Sequence, residues 1–173
     1  MIKPIPYFLK ENIIFPNSPY PALHYKKVLN LVADNDVKSI INLFKENNWT
    51  NNWEAGIFTY HHYHSNTHEA IGIANGSTEL QLGGDAGKIL FIEKGDVLVI
   101  PAGVAHRNLG AENQVVCVGG YPGGKDYDMN YGKPGERPQT DRNISQVAIP
   151  LTDPVYGKMQ GLVQIWINFQ QKL

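Results

Sequence analysis

A chain of 173 residues, 42% apolar and 18% charged, has the makeup of a globular protein with one substantial core. Its formal net charge is −1, and its fifteen Lys and Arg are scattered, which argues against the basic stripe of a nucleic-acid binder. The single cysteine, Cys117, excludes an internal disulfide framework and a cysteine-type zinc cluster; it reads as a small buried hydrophobe in a strand.

No apolar run approaches the ~20 residues of a membrane-spanning helix. Pro4, Pro6, Lys10 and Glu11 interrupt the N-terminal stretch that a signal peptide would keep apolar. The expectation is a cytoplasmic protein that partners neither nucleic acid nor membrane.

Along the chain, Pro16, Pro19 and Pro21 punctuate residues 1–22 as an extended arm. A short strand is predicted from Ala22 to Leu29, with Lys26 and Lys27 suited to an exposed edge. Residues 37–47 predict a helix: Val37, Ile40, Ile41 and Phe44 form one apolar stripe, and Asp36 is its expected N-cap. Such a helix covers the outside of a sheet. From Trp53 onward, short runs rich in Val, Ile, Tyr and Phe alternate with glycine-containing turns, the pattern of an antiparallel barrel or sandwich. Strands are predicted at 54–63, 69–74, 77–82, 88–92, 97–100, 105–109 and 114–121. Asn75-Gly76 reads as a hairpin turn. Residues 122–147 read as a long polar loop with a short helical turn. The alternation of Val163, Ile165, Ile167 and Phe169 predicts a closing strand. The whole chain, 1–173, reads as one domain: an arm and helix (1–52), core barrel strands (53–121), then a loop and closing strand (122–173).

The chemistry concentrates between Gly56 and Gly76. Four of the six histidines lie between His61 and His68, and Glu69 follows at once. Imidazole and carboxylate are ligands for divalent transition metals. In an extended segment, alternate side chains share a face. His62 and His64 then point together, with Phe58 and Tyr60 on the same side, while His61 and Tyr63 point away. A turn at Ser65–Thr67 lets Glu69 join them from the next strand, with His68 as the alternative should that turn run differently. His106, set by the Pro101-Ala102-Gly103 turn, is the fourth ligand. Three histidines and a glutamate leave positions open on a six-coordinate metal, as a catalytic or ligand-binding ion requires. Tyr60 is the residue read as a proton donor or substrate-orienting group. Asn108 is predicted on the inner face, Arg107 on the surface.

These residues resemble the two motifs of the cupin superfamily. Gly56, His62, His64, Glu69 and Gly76 match the first; Gly95, Pro101, Gly103 and His106 match the second. The second motif closes with Asn four residues past its histidine, where this chain has Gly110, with Asn108 two past. The stretches Tyr63-His64-Ser65-Asn66-Thr67-His68-Glu69 and Tyr121 to Asp126 are similar to the bacterial YjlB-like cupins. The resemblance implies an all-β fold, a double-stranded β-helix or jelly roll, with the 37–47 helix against it and one divalent metal at His62, His64, Glu69 and His106. Iron, manganese, nickel and zinc all suit such a site. Cupins include dioxygenases and other oxidoreductases, decarboxylases, isomerases and sugar-binding regulators. The expectation is a metal-dependent enzyme acting on a small oxygen-rich molecule; the alternative is a non-catalytic protein that binds or senses a sugar or organic acid. Cupin barrels also tend to pair through edge strands, so the 1–22 arm and its strand predict a homodimer.

Overall fold

A computed structural model describes residues 1–31, 36–158 and 160–171. In chain order the elements are β1 (Ile5–Tyr7), β2 (Ala22–Tyr25), α1 (Asp36–Glu46), β3 (Trp49–Ala55), β4 (Glu69–Leu82), β5 (Lys88–Glu93), β6 (Val97–Ile100), β7 (His106–Asn108), β8 (Val115–Pro122), α2 (Gln139–Gln146), β9 (Thr152–Asp153), β10 (Gly157–Lys158) and α3 (Leu162–Gln170). A 3-10 turn at Glu112–Gln114 precedes β8. The fold is mainly antiparallel β, an all-β barrel.

The barrel is organised by β4. Its first half lies between β6 and β8 in a sheet ordered β1-β2-β6-β4-β8-β3. Its second half, from Ser77, pairs instead with β5 and β7. Asn75-Gly76 is therefore no hairpin. A two-residue hairpin of that sequence needs positive φ at both positions, and only Gly76 has it, at 78°. The chain bends there instead, beside a register shift between Ile73 and Asn75 against β8. That bulge hands the strand from one sheet to the other.

Strand alternation sorts the core. Ile71, Ile73, Leu98 and Ile100 pack with Leu80, Leu82, Leu90 and Ile92 in one cluster, the barrel interior. Ala70, Ala74, Val97 and Val99 point the other way, under Ile40 and Phe44 of α1 and Leu162, Val163 and Trp166 of α3. The main sheet is thus buried on both faces, as its near-continuous apolar runs require.

Several local expectations change. Helix α1 starts at Asp36, so that residue sits in the first turn rather than at the N-cap. Its carboxylate pairs with Lys94. Strand β2 is shorter than 22–29 and is no edge, because β1 lies on its far side. The 54–63 strand is really β3, ending at Ala55, followed by an extended segment that makes only isolated bridges at His62 and Tyr63. Residues 122–147 contain α2. The predicted closing strand is α3. Leu162, Val163 and Trp166 bury a helical face, and the Trp166 indole N–H donates to the Pro21 carbonyl at 3.0 Å. The Leu162 N–H donates to Asp153 at 2.8 Å, and Asp153 also takes the Tyr25 hydroxyl, tying the start of α3 to β2 and β9. Cys117 is buried in β8, as expected.

His68 belongs to this packing. It is buried, with its ring 4.8 Å from that of Trp166. Its Nδ1 accepts the Ala102 N–H at 3.0 Å, so its proton sits on Nε2 and is donated to the Ala148 carbonyl at 3.2 Å. Burial lowers its pKa to about 4. Unfolding exposes a histidine that titrates near 6.5, so the unfolded chain binds the extra proton between those values. Stability is therefore full above pH 6.5 and falls as the pH drops toward 4. His68→Gln should flatten the slope of unfolding free energy in that window by up to about 1.4 kcal/mol per pH unit. Urea titrations across the pH series measure this, and an unchanged slope would contradict a neutral, buried His68.

Candidate metal centre

The site is assembled from three pieces of chain. His62 and His106 face one another across a backbone bridge: each donates its N–H to the other's carbonyl, at 3.2 and 2.9 Å. Two residues on, the His64 carbonyl accepts the Gly103 N–H at 2.8 Å, which brings the Pro101–Gly103 turn against it. Between them Tyr63 points outward; its hydroxyl donates to Glu136 or Thr140. Alternation thus holds through 62–64 although the segment is no regular strand. Glu69 enters as the first residue of β4.

Each of the three histidines donates Nδ1–H to a main-chain carbonyl: His62 to Tyr60 at 3.2 Å, His64 to Asp128 at 2.6 Å, His106 to Val104 at 3.1 Å. A carbonyl only accepts, so the proton is on Nδ1 and the Nε2 lone pair is free. One ligand nitrogen from each of the three lies within 4.8 Å of the others, and all three residues are buried. Glu69 stands beside this group, with Oε1 3.5 Å from His64 Nε2 and Oε2 3.3 Å from His106 Nε2. Oε2 is buried and accepts no hydrogen bond, which follows from the His106 proton being committed to Val104. A buried, unpartnered carboxylate oxygen is costly. Beside three bare imidazole nitrogens, it is what a cation would satisfy.

Charge follows the geometry. Burial, then the neighbouring His106, lowers the His62 pKa to about 3. Burial also pushes His64 down, but the Glu69 carboxylate outweighs it and the net shift is upward. Burial would raise Glu69; in their protonated forms His64 and His106 override it by charge and hydrogen bonding and hold the carboxyl well below its usual range. Glu69 is thus an anion in a buried pocket.

Its other oxygen is held by a chain of donors. The Tyr121 hydroxyl donates to Oε1 at 2.8 Å, and the Trp53 indole N–H donates to that hydroxyl at 2.8 Å. This arrangement needs glycine opposite: a Cβ on Gly119 would lie 1.9 Å from the Trp53 ring. Burial and the Glu69 charge push the Tyr121 phenol far above its ordinary value, so it remains a donor.

The four ligand candidates open on a cavity of about 190 Å³, whose wall includes Trp53, Phe58, Tyr121, Tyr127 and Met129. The 122–131 segment is fastened to the site. Asp128 accepts the Ser65 N–H at 2.6 Å and its hydroxyl, and Asn66 exchanges hydrogen bonds with Asp126 and Asp128. Tyr127 stacks on Tyr121 with ring centroids 4.6 Å apart.

The structure brings His62, His64, His106 and Glu69 together and leaves His68 out. Tyr60 is on the expected side, stacked on Phe58 at 4.9 Å, but it is 45% exposed at the rim and does not line the cavity. Its carbonyl, rather than its phenol, serves His62. The buried phenol at the site is Tyr121, which the sequence marks only as the residue where the chain leaves the sheet. Asn108 is also away from the cavity. Its side-chain oxygen accepts from Thr78 and Gly110, and its nitrogen donates to Ala111, so it braces a turn. His61 lies 3.2 Å from Asp85, and Arg107 binds Gln81 and Asp85, both outside the site.

No protein-family model matches the chain. Among solved structures, acireductone dioxygenase from Bacillus anthracis is similar over 64% of this chain and 83% of its own, at 15% identity and TM-score 0.44. Procruciferin, an 11S globulin from Brassica napus, is similar over 46% of this chain, at 14% identity and TM-score 0.37; the chain spans 21% of its length. Likenesses this distant do not bear on what this chain does. The uncharacterized protein YjlB of Bacillus subtilis is 38% identical over 163 residues, covering 94% of this chain and 96% of that protein. At that identity and coverage, the chain belongs to the same family as YjlB.

Proposed function

We propose that this cupin is a metal-dependent enzyme acting on a small oxygen-bearing molecule. His62, His64, His106 and Glu69 would hold one divalent ion: iron, manganese, nickel or zinc. The observation that carries the reading is the convergence of three buried imidazoles, each with Nδ1 committed to a carbonyl, beside a buried carboxylate with an unpartnered oxygen. Iron or manganese would suit oxidation, decarboxylation or isomerisation. When bound, such an ion polarises an oxygen of the substrate. The chain's own residues supply the remainder. The three carbonyls orient the imidazoles, Tyr121 fixes the Glu69 carboxylate through Oε1, and Trp53 fixes Tyr121. Tyr121 takes the positioning role first read into Tyr60.

We infer further that the chain works as a homodimer, with small molecules rather than nucleic acid or membrane as its ligands. Among the described residues, strand β1 is a sheet edge. Ile2, Ile5 and Phe8 are exposed along it, and Phe8 meets Phe169 of α3 at 5.4 Å. No helix among the described residues is long and apolar enough to cross a membrane. A cytoplasmic setting suits a chain whose lone cysteine is free and buried.

Elemental analysis of protein purified without chelators should find about one divalent metal per chain, and His62→Ala or His106→Ala should lose most of it. Stoichiometric metal retained by both variants, or none in the parent, would sink the reading. Tyr121→Phe strips Glu69 Oε1 of its donor and Trp53 of its acceptor. It should lower the stability of the metal-free protein by about 1–3 kcal/mol in urea unfolding; no loss would mean that the donor chain contributes nothing. Light scattering after size exclusion should return twice the chain mass, and Ile5→Lys should shift it toward the monomer. A clean monomer in the parent would refute the dimer.

A further inference from the structure

The cavity divides by chemistry. Its ionisable groups other than tyrosine are at the metal-binding end: the three histidines and Glu69. Among the described residues, the remaining wall carries no Lys, Arg, Ser, Thr, Asn or Gln side chain. It is built from Trp53, Ile57, Phe58, Ile71, Tyr127 and Met129, together with Tyr121. The Tyr121 hydroxyl is already spent, donating to Glu69 and accepting from Trp53. Apart from the metal end, Tyr127 is left as the side chain able to offer a ligand a free polar group.

Such a wall suits a narrow class of molecule. A sugar buries several hydroxyls, and each needs a partner that this wall lacks. An aliphatic di-acid brings a second carboxylate, and no Lys or Arg among the described residues lines the cavity to meet it. A flat apolar ring asks for neither. Its faces match the aromatic groups that are present: Tyr127, 4.9 Å from the His64 ring, and Phe58, 5.3 Å from the His62 ring. The size agrees. An apolar cavity of about 150 Å³ holds one benzene ring, and this one measures about 190 Å³. The aromatic surface continues past the mouth. Phe58 stacks on Tyr60 with planes 15° apart, and Tyr60 meets Tyr131 at 5.9 Å. Lys133 lies 4.8 Å above the Tyr131 ring.

We propose that the site takes a single-ring aromatic or conjugated molecule bearing two adjacent oxygens, of catechol type, rather than a sugar or an aliphatic acid. The proposal rests on the metal reading above and sharpens it: the oxygen pair addresses the metal end, and the ring lies between Phe58 and Tyr127. This narrows the oxygen-rich substrate expected from the sequence to one that is oxygen-rich at one edge only.

The test uses full-length protein loaded with zinc, which is redox-inert, so that no turnover consumes the probes. 4-Nitrocatechol and tartrate, which both present adjacent oxygens, are titrated by calorimetry and by tryptophan fluorescence. Trp49 and Trp166 are fully buried in the outer core, so Trp53 on the cavity wall reports occupancy. The parent should bind 4-nitrocatechol more tightly than tartrate. Tyr127→Ala should weaken 4-nitrocatechol by about tenfold, Tyr127→Phe should restore it, and tartrate should be unaffected by either, because stacking acts on the ring alone. Tartrate binding as tightly as 4-nitrocatechol, or Tyr127→Ala changing both probes alike, would overturn the proposal. Metal content is measured on the same samples. Protein that takes up no zinc overturns the metal reading instead; the ring preference is then judged on the metal-free protein, where equal binding of the two probes defeats it too.

Discussion

The structure depends on one strand being bent. From Glu69 to Leu82, β4 would extend about 43 Å if straight, yet both its ends reach His106. Leu82 pairs with His106 in the ladder to β7, and the Glu69 carboxylate lies 3.3 Å from the His106 imidazole. The strand therefore curls around the barrel, and the register shift before Asn75 with the positive φ of Gly76 lets it do so. Closing the barrel and assembling the candidate metal centre are the same geometric event. A straight β4 would leave Glu69 and His106 at opposite ends of a sheet.

Within that frame, main-chain carbonyls set the chemistry. The carbonyls of Tyr60, Val104 and Asp128 each take an imidazole N–H, which fixes three rings and three tautomers without a dedicated side chain. Two of these carbonyls lie two residues before the histidine they serve. The third comes from 64 residues away, from a segment that looks like an ordinary polar loop. Asp128 does double duty there: its carbonyl orients His64 while its carboxylate ties down Ser65. The 122–131 segment is therefore part of the wall and is bound at several points, which argues against a loose lid.

Around the charged floor the cavity turns apolar, and the contrast strengthens every interaction on the floor. Charges buried among Trp53, Ile71 and Met129 are poorly screened, which is why protonated His64 and His106 act strongly on the Glu69 carboxylate. It is also why the Trp53–Tyr121–Glu69 chain matters, since a buried carboxylate oxygen without a donor is expensive. Phenol position separates the two tyrosines. Tyr60 is half in water and serves through its backbone; Tyr121 is buried and faces the carboxylate.

The sequence by itself determined the candidate ligands and much of the scaffold. Histidines at alternate positions, a glutamate after a short turn and a histidine behind a Pro-x-Gly turn are local patterns, and period-two and helical spacing survive folding wherever one face is buried. That is why α1, β5, β6 and β8 lie close to where the alternation predicts them. What remained hidden depends on partners distant in the chain. The apolar alternation of 163–169 fits a strand as well as a helix until Trp166 finds the Pro21 carbonyl and Leu162 finds Asp153. Asn75-Gly76 signals a hairpin until pairing with β8 before it and β5 after it carries the chain on as one bent strand. Tyr121 carries no sequence mark of its role because its role is a contact with Glu69, 52 residues away, made possible by the missing side chain at Gly119. Short-range spacing wrote the candidate metal ligands into the chain; only the closed barrel decided what surrounds them, because a cavity wall is drawn from strands that meet through the fold and not through the sequence.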